Sequence, residues 1–213
     1  MKTNKPKIIF IDWHKTLSNS IFWQQLTEPG HMLNGNLPKI ETVLFNKEFD
    51  LINPWMLGKL NSKIVCKFIS EKTGIDSQIL HDELEISCRQ MSLISKEVES
   101  LLNKLKQKGI PLVIATDNMD TFTKYTYPEI NKNNLFSGCL NSYETGCFKY
   151  DCINDGLPFF DGYLRDKRLT YRDVVLVDDS IDKRRNFQRL GFEVLIIGKN
   201  KPLTEVLIEY VNN

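Results

Sequence analysis

Four groups of reactive side chains recur along the chain, each at or just beyond the end of an apolar run. The first is Asp12-Trp13-His14-Lys15-Thr16-Leu17 and the second is Thr116-Asp117-Asn118. The third is Lys149, within Gly146-Cys147-Phe148-Lys149-Tyr150-Asp151, and the fourth is Asp178-Asp179-Ser180, with Asp182 a little further on. Asp12, Asp178 and Asp179 offer hard oxygen donors of the kind Mg²⁺ takes, since that ion keeps several waters and needs only one or two carboxylates. Without a cation, three acids gathered at one edge would repel one another, and Lys149 would offset part of that charge. The Thr116 hydroxyl and the Asp117 N–H can donate to phosphoryl oxygens. Together these parts make a site for a dianion that also holds a nucleophile, because a carboxylate attacking phosphorus forms an acyl phosphate.

Such groups converge only if the elements carrying them lie side by side. Lys7-Ile8-Ile9-Phe10-Ile11 is a short continuous apolar run, the pattern of a strand buried on both faces of a parallel sheet. Similar runs are residues 110–116, 173–178 and 192–197, with a shorter one at 138–142. Val98, Leu101, Leu102 and Leu105 have helical spacing, closed by Lys108-Gly109, and further helices are expected over 181–190 and 203–211. Strands alternating with helices predict an α/β fold with a doubly wound parallel sheet, whose ligands sit beyond the carboxyl ends of the strands.

The stretch between the first two strands is far longer than one crossover needs. Ile64, Val65, Phe68 and Ile69, then Ile79, Leu80, Leu84, Cys88 and Met91, are spaced as helix faces, with a break at Thr73-Gly74-Ile75-Asp76. Asn53-Pro54-Trp55 reads as a turn and residues 27–37 as a mobile loop near the entrance. The expected division is therefore a Rossmann-like core from residues 1–17 and 97–213, with residues 18–96 as an inserted helical subdomain.

The four groups, in this order, resemble the motifs of the haloacid dehalogenase (HAD) superfamily: an Asp-x-Asp-x-Thr loop, a Ser or Thr, a Lys, and an acidic pair. The resemblance runs from residue 7 to about residue 197 and is interrupted where that family carries a helical C1-type cap. It implies Asp12 as nucleophile and metal ligand, the main-chain carbonyl of His14 as a second ligand, and Asp179 as a third, with Asp178 helping directly or through water. It further implies that Thr116 and Asp117 hold the phosphoryl group and that Lys149 bridges that group to Asp12. Asp182 is a lesser candidate.

The sequence departs from the family pattern at His14, where the phosphatases carry the Asp that protonates the leaving oxygen and later activates water. Lys15 stands where Gly is more usual. Histidine can perform both proton transfers, since its unperturbed pKa of about 6.5 lies near working pH. It can equally be a spacer, and both readings stand. Branches lacking that Asp cleave C–halogen or phosphonate C–P bonds, the latter with a cap lysine such as Lys59 or Lys63. The acidic pair favours the Mg²⁺-dependent phosphatase. The expectation is a phosphomonoester hydrolase for a small phosphorylated metabolite or nucleotide. The alternatives are a phosphonate or haloacid hydrolase, or an inactive phosphate-ligand-binding protein of the same fold.

Each group also has a plainer explanation. An isolated strand-end Asp caps a turn, and Asp178 and Asp179 could merely serve the start of a helix. Their joint order is what favours chemistry. Elsewhere, His31 and His81 read as surface residues, Trp23 and Trp55 as apolar packing, and Phe22, Trp55 and Arg89 as possible pocket walls.

Composition narrows the classes. The 213 residues carry a formal net charge of +1, from 28 basic and 27 acidic side chains. No field of one sign is available for nucleic acid or an anionic membrane surface. Five cysteines without a CxxC pair suggest reduced thiols rather than a disulfide framework or zinc site. The apolar run after the basic start is too short for a signal peptide, and none approaches the ~20 residues of a membrane span. A cytoplasmic protein is expected, with no nucleic-acid or membrane partner; its oligomeric state is left open.

Overall fold

The computed structural model describes residues 6–180 and 184–212. Among them five parallel strands form one sheet: β1 (Ile8–Ile11), β2 (Leu112–Thr116), β3 (Gly138–Asn141), β4 (Val174–Asp178) and β5 (Glu193–Ile196), in the order β3-β2-β1-β4-β5. The expected doubly wound α/β architecture is therefore present, and the sequence order reverses on either side of β1, the place where open parallel sheets bind ligands. Ile11 pairs with both Ile114 and Val177, which sets Asp12 level with Asp178 and one step short of Thr116.

Alternate strand residues feed two separate cores. Ile9, Ile11, Leu112, Ile114, Val175 and Val177 point into one. Ile8, Phe10, Val113, Ala115, Val174 and Leu176 point into the other. The second core is closed by α8 (Pro158–Asp166) and α9 (Arg184–Leu190) through Phe159, Phe160, Leu164 and Phe187. Phe10 meets Phe160 edge-on with ring centres 5.1 Å apart. Side chains of this size contribute about 1.5–3 kcal/mol each on full burial.

The first core is covered by α5 (Lys96–Gln107) and α10 (Leu203–Asn212). Ser95 caps α5 by accepting from the Val98 N–H at 3.2 Å. Glu97 and Glu99 lie in its first turn and Lys104 and Lys106 in its last, matching the helix dipole. Val98, Leu101, Leu102 and Leu105 form the buried stripe that the spacing predicts.

Between β1 and α5 the chain forms a 3₁₀ turn (Gln24–Thr27) and four helices: α1 (Leu37–Leu44), α2 (Ile52–Met56), α3 (Ser62–Thr73) and α4 (Ser77–Gln90). Asn61 and Asp76 cap α3 and α4, and Gly74, with φ of 74°, ends α3 in the left-handed conformation that favours glycine. The expected loop over residues 27–37 gives way to α1 at Leu37, and Asn53-Pro54-Trp55 lies inside α2 rather than in an isolated turn. Ile64, expected to pack, is 50% exposed, and Cys66 takes the buried position beside Val65 and Ile69.

These helices do not stand off the sheet domain. Leu26, Trp55, Val65, Leu80 and Leu84 belong to the same continuous apolar cluster as Ile9 and Val177. Polar ties reinforce the junction. Asp120, after β2, accepts from the Trp55 indole N–H at 2.7 Å and from the Ser62 hydroxyl at 2.9 Å and its N–H at 3.1 Å. Ser142, which opens α7 (Ser142–Thr145), donates to the Met56 carbonyl at 2.8 Å. At Gly58 (φ 72°) a Cβ would stand 2.5 Å from the Tyr143 carbonyl oxygen, so only glycine admits this approach. Beyond β2 a π-helical turn (Phe122–Thr126) runs into a single-turn α6 (Tyr127–Ile130), and a 3₁₀ turn (Tyr171–Asp173) leads into β4. No helix among the described residues is long and apolar enough to cross a membrane.

Candidate active site

Asp12 ends β1, its N–H bonded to the Val177 carbonyl at 2.9 Å and its side chain almost wholly buried. The chain then folds back at once: Lys15 N–H donates to Ser18 O at 2.8 Å, while the N–H groups of Leu17 and Ser18 both donate to Trp13 O at 2.9 Å. Closing that loop forces Lys15 to φ 59°, the left-handed region where the HAD motif usually has Gly.

Lys149 arrives from the loop after α7, which ends at Gly146 with φ 68°. Its N–H donates to Asp117 Oδ1 at 2.9 Å, anchoring the loop to the end of β2. Its ammonium, buried, contacts Asp12 Oδ1 and donates to Asp178 Oδ2 at 2.7 Å. Asp178 Oδ1 in turn accepts from the Ser180 N–H and hydroxyl, each at 2.9 Å, and Ser180 Oγ lies 2.7 Å from the Tyr150 hydroxyl. Thr116 is buried at the end of β2, its hydroxyl 3.5 Å from Asn118 Nδ2. The Asn118 N–H is held by Ser142 Oγ at 3.0 Å.

Burial pushes the Asp12 carboxyl up to about 7, with Lys149 opposing and the charge of Asp178 adding to the rise. For Lys149 burial alone would lower the pKa, but the facing Asp12 and Asp178 more than reverse that and keep the ammonium charged. Burial works against ionising Asp178 too, yet Lys149 and the Ser180 donors hold it below the usual carboxylate range. Asp117 is raised by burial, with Lys149 opposing. At His14, desolvation and then the charge of Lys15 hold the imidazole below 6.5, against an upward pull from Asp179.

The structure thus brings Asp12, Thr116, Asp117, Lys149, Asp178 and Asp179 to the same sheet edge, with His14 in the turn above it. Asp182 lies outside the described residues. Among the described residues no three His, Cys, Asp or Glu side chains enclose a cation. The donor chemistry nevertheless fits a hard ion that retains waters: the Asp12 carboxylate, the Asp179 carboxylate and the His14 main-chain carbonyl. Both Asp178 oxygens accept hydrogen bonds, so its evident task here is to hold Lys149 and Ser180.

Beside His14 a cavity of about 280 Å³ lies between the sheet edge and the inserted helices, reaching Asp117 and Asn118 at one end. Phe22 lines it, whereas Trp55 is fully buried and Arg89 is engaged with Glu85 and Glu129. Neither Lys59 nor Lys63 lines it. His81, expected on the surface, is buried on α4 with Nε2 3.2 Å from Ser62 Oγ, and His31 is half-buried 3.2 Å from Glu83. His81 adjoins Leu80 and Leu84 on the packed stripe of α4, which its spacing in the sequence already signals. Ser142, which steadies the loop after Thr116 through the Asn118 N–H, was not singled out from sequence, since that bond joins residues 24 positions apart.

The fold is an α/β fold with a parallel sheet, and solved structures share it. Structural neighbours are HAD-family enzymes. One from Bacteroides thetaiotaomicron, in complex with magnesium and inorganic phosphate, superposes with a TM-score of 0.65 at 18% identity over 92% of this chain and 96% of that one. A predicted HAD-like hydrolase of Porphyromonas gingivalis gives 0.67 at 13% identity over 99% and 100%. L-2-haloacid dehalogenase of Xanthobacter autotrophicus, with chloropropionic acid covalently bound, gives 0.61 at 13% identity over 92% and 80%. No family sequence model and no curated protein matches the chain.

Proposed function

We propose that this chain is a HAD-superfamily hydrolase, a Mg²⁺-dependent phosphomonoesterase that works through a phosphoaspartate at Asp12. The observation that carries it is the buried Lys149 ammonium shared by Asp12 and Asp178 at the edge where β2 presents Thr116 and Asp117. A fixed cation beside a buried carboxylate both orients the nucleophile and attracts a dianion.

An Asp12 oxygen attacks phosphorus and forms the acyl phosphate as the bond to the leaving oxygen breaks. The bonding pair stays on that oxygen, which takes a proton from His14. Lys149, the Thr116 hydroxyl and the Asp117 N–H hold the transferring oxygens. Neutral His14 then accepts a proton from a water that attacks phosphorus, releasing phosphate and restoring Asp12. The depressed pKa of His14 suits the second step, and the charge of an arriving dianion raises it for the first. Mg²⁺, bound through Asp12, Asp179 and the His14 carbonyl, would supply charge neutralisation.

The test is phosphate release from a panel of phosphomonoesters, with and without Mg²⁺, in wild type and Asp12→Asn. Metal-dependent turnover lost in Asp12→Asn is the expected result; retained turnover in that variant would overturn the mechanism. A second reading, haloacid hydrolysis by the same nucleophile, is favoured by the apolar walls beside His14. It predicts halide release without added metal. The phosphonate branch is disfavoured, because neither Lys59 nor Lys63 reaches the cavity to form a Schiff base.

A further inference from the structure

The cavity beside His14 has a chemical character that the phosphoryl end does not explain. Helix α1 contributes Glu41 and Leu44, one helical turn apart and therefore on one face, and Phe45 follows at its end. Trp13, Phe22 and Trp23 supply aromatic wall. Phe22 is fixed there, stacked on Trp55 with centres 5.7 Å apart and edge-on to Trp23 at 6.1 Å. The Trp23 indole N–H is spent within the protein, donating to the Leu80 carbonyl at 2.9 Å.

Two acids line this cavity. Asp117 belongs to the phosphoryl end and is engaged by the Lys149 N–H. Glu41 is half-buried, and its carboxylate takes no hydrogen bond or ion pair from the described residues. No Lys or Arg lines the cavity. A carboxylate without a basic partner beside aromatic faces favours a cation, since both the charge and the ring quadrupoles attract it. A hydroxyl-rich leaving group would instead lose hydrogen bonds against these walls.

We propose that the cavity takes the substrate's leaving group, and that this group has a small apolar body bearing an ammonium paired with Glu41. The assignment of a leaving group rests on the phosphomonoesterase reading; the binding of an ammonium does not.

The intact chain carries its own reporters, because Trp13 and Trp23 line the cavity. Their fluorescence is titrated with choline and with its uncharged carbon isostere dimethylbutanol, in wild type, Glu41→Gln and Phe22→Leu. Choline is expected to bind roughly tenfold tighter than the isostere. Glu41→Gln should remove most of that preference, and Phe22→Leu should weaken choline several-fold. Equal affinities, absence of saturable quenching by choline, or an unchanged preference in Glu41→Gln would overturn the proposal. Neither probe contains phosphate, so the two ideas fail separately. Phosphate release without choline selectivity sinks only the ammonium pocket. Choline selectivity in a protein that releases no phosphate sinks only the hydrolase reading.

Discussion

Lys149 and Asp178 are joined by a buried hydrogen bond of 2.7 Å, and the same ammonium also contacts Asp12. The lysine therefore keeps two carboxylates, from adjacent strands and level with each other, from facing one another unscreened. Its place is set by the loop after α7 and by the Asp117 carboxylate that fixes its N–H.

Replacing Lys149 by Met should leave those carboxylates uncompensated and cost about 3–5 kcal/mol of stability in the metal-free protein near neutral pH. The Asp12 carboxyl already sits up at about 7, and losing the lysine raises it further. Such a group stabilises the fold fully below its unfolded pKa and loses that contribution as pH rises through the folded one. The penalty should therefore shrink when urea melts are run near pH 5. A penalty that does not change with pH would contradict the assignment.

Lys15 occupies a left-handed conformation at φ 59° beside His14. Lys15→Gly should be neutral or stabilise the fold by up to about 1 kcal/mol in thermal melts. It should also raise the His14 pKa followed by NMR in the metal-free protein, since a neighbouring positive charge is removed. A lowered pKa would show that Lys15 does not act on His14 as described.

Asp120 accepts from both the Trp55 indole and Ser62, joining the loop after β2 to α2 and α3. Asp120→Ala strands those donors and should cost about 2–3 kcal/mol. Hydrogen exchange should accelerate first at the start of α3, and unaltered protection there would refute the role.

Asp173 accepts from the Thr170 N–H and hydroxyl at 2.8 Å each and pairs with Lys7 at 2.8 Å, and Lys7 is the main cause of its carboxyl falling to about 2. A depressed carboxylate stabilises above its unfolded pKa, and the benefit is lost as pH falls through the folded one. Asp173→Asn should therefore lower the melting temperature at pH 7, the gap closing between about pH 4 and about pH 2. An equal gap at both ends of that window would point to packing rather than charge.

The sheet was legible because strands buried on both faces must be apolar throughout, and β1 and β4 each lead into acids that the register then sets level. The helix α8 was not foreseen, although Pro158 in its first turn is a recognised helix start. Asp120 and Glu41 were equally silent. What marks Asp120 is bonds to residues 58 and 65 positions away, and what marks Glu41 is the lack of a partner within a cavity that exists only after packing. Such relationships are tertiary, and no local pattern encodes them.

The apolar cluster running unbroken from Ile9 and Val177 to Leu80 and Leu84 has an evolutionary consequence. Helices α1 to α4 cannot be exchanged for another insert as an independent cassette, because part of the packing beside the sheet would be stripped with them. New specificity in this lineage would then arise by point changes along α1 and beside Phe22, with the scaffold itself held fixed by selection for a shared interior.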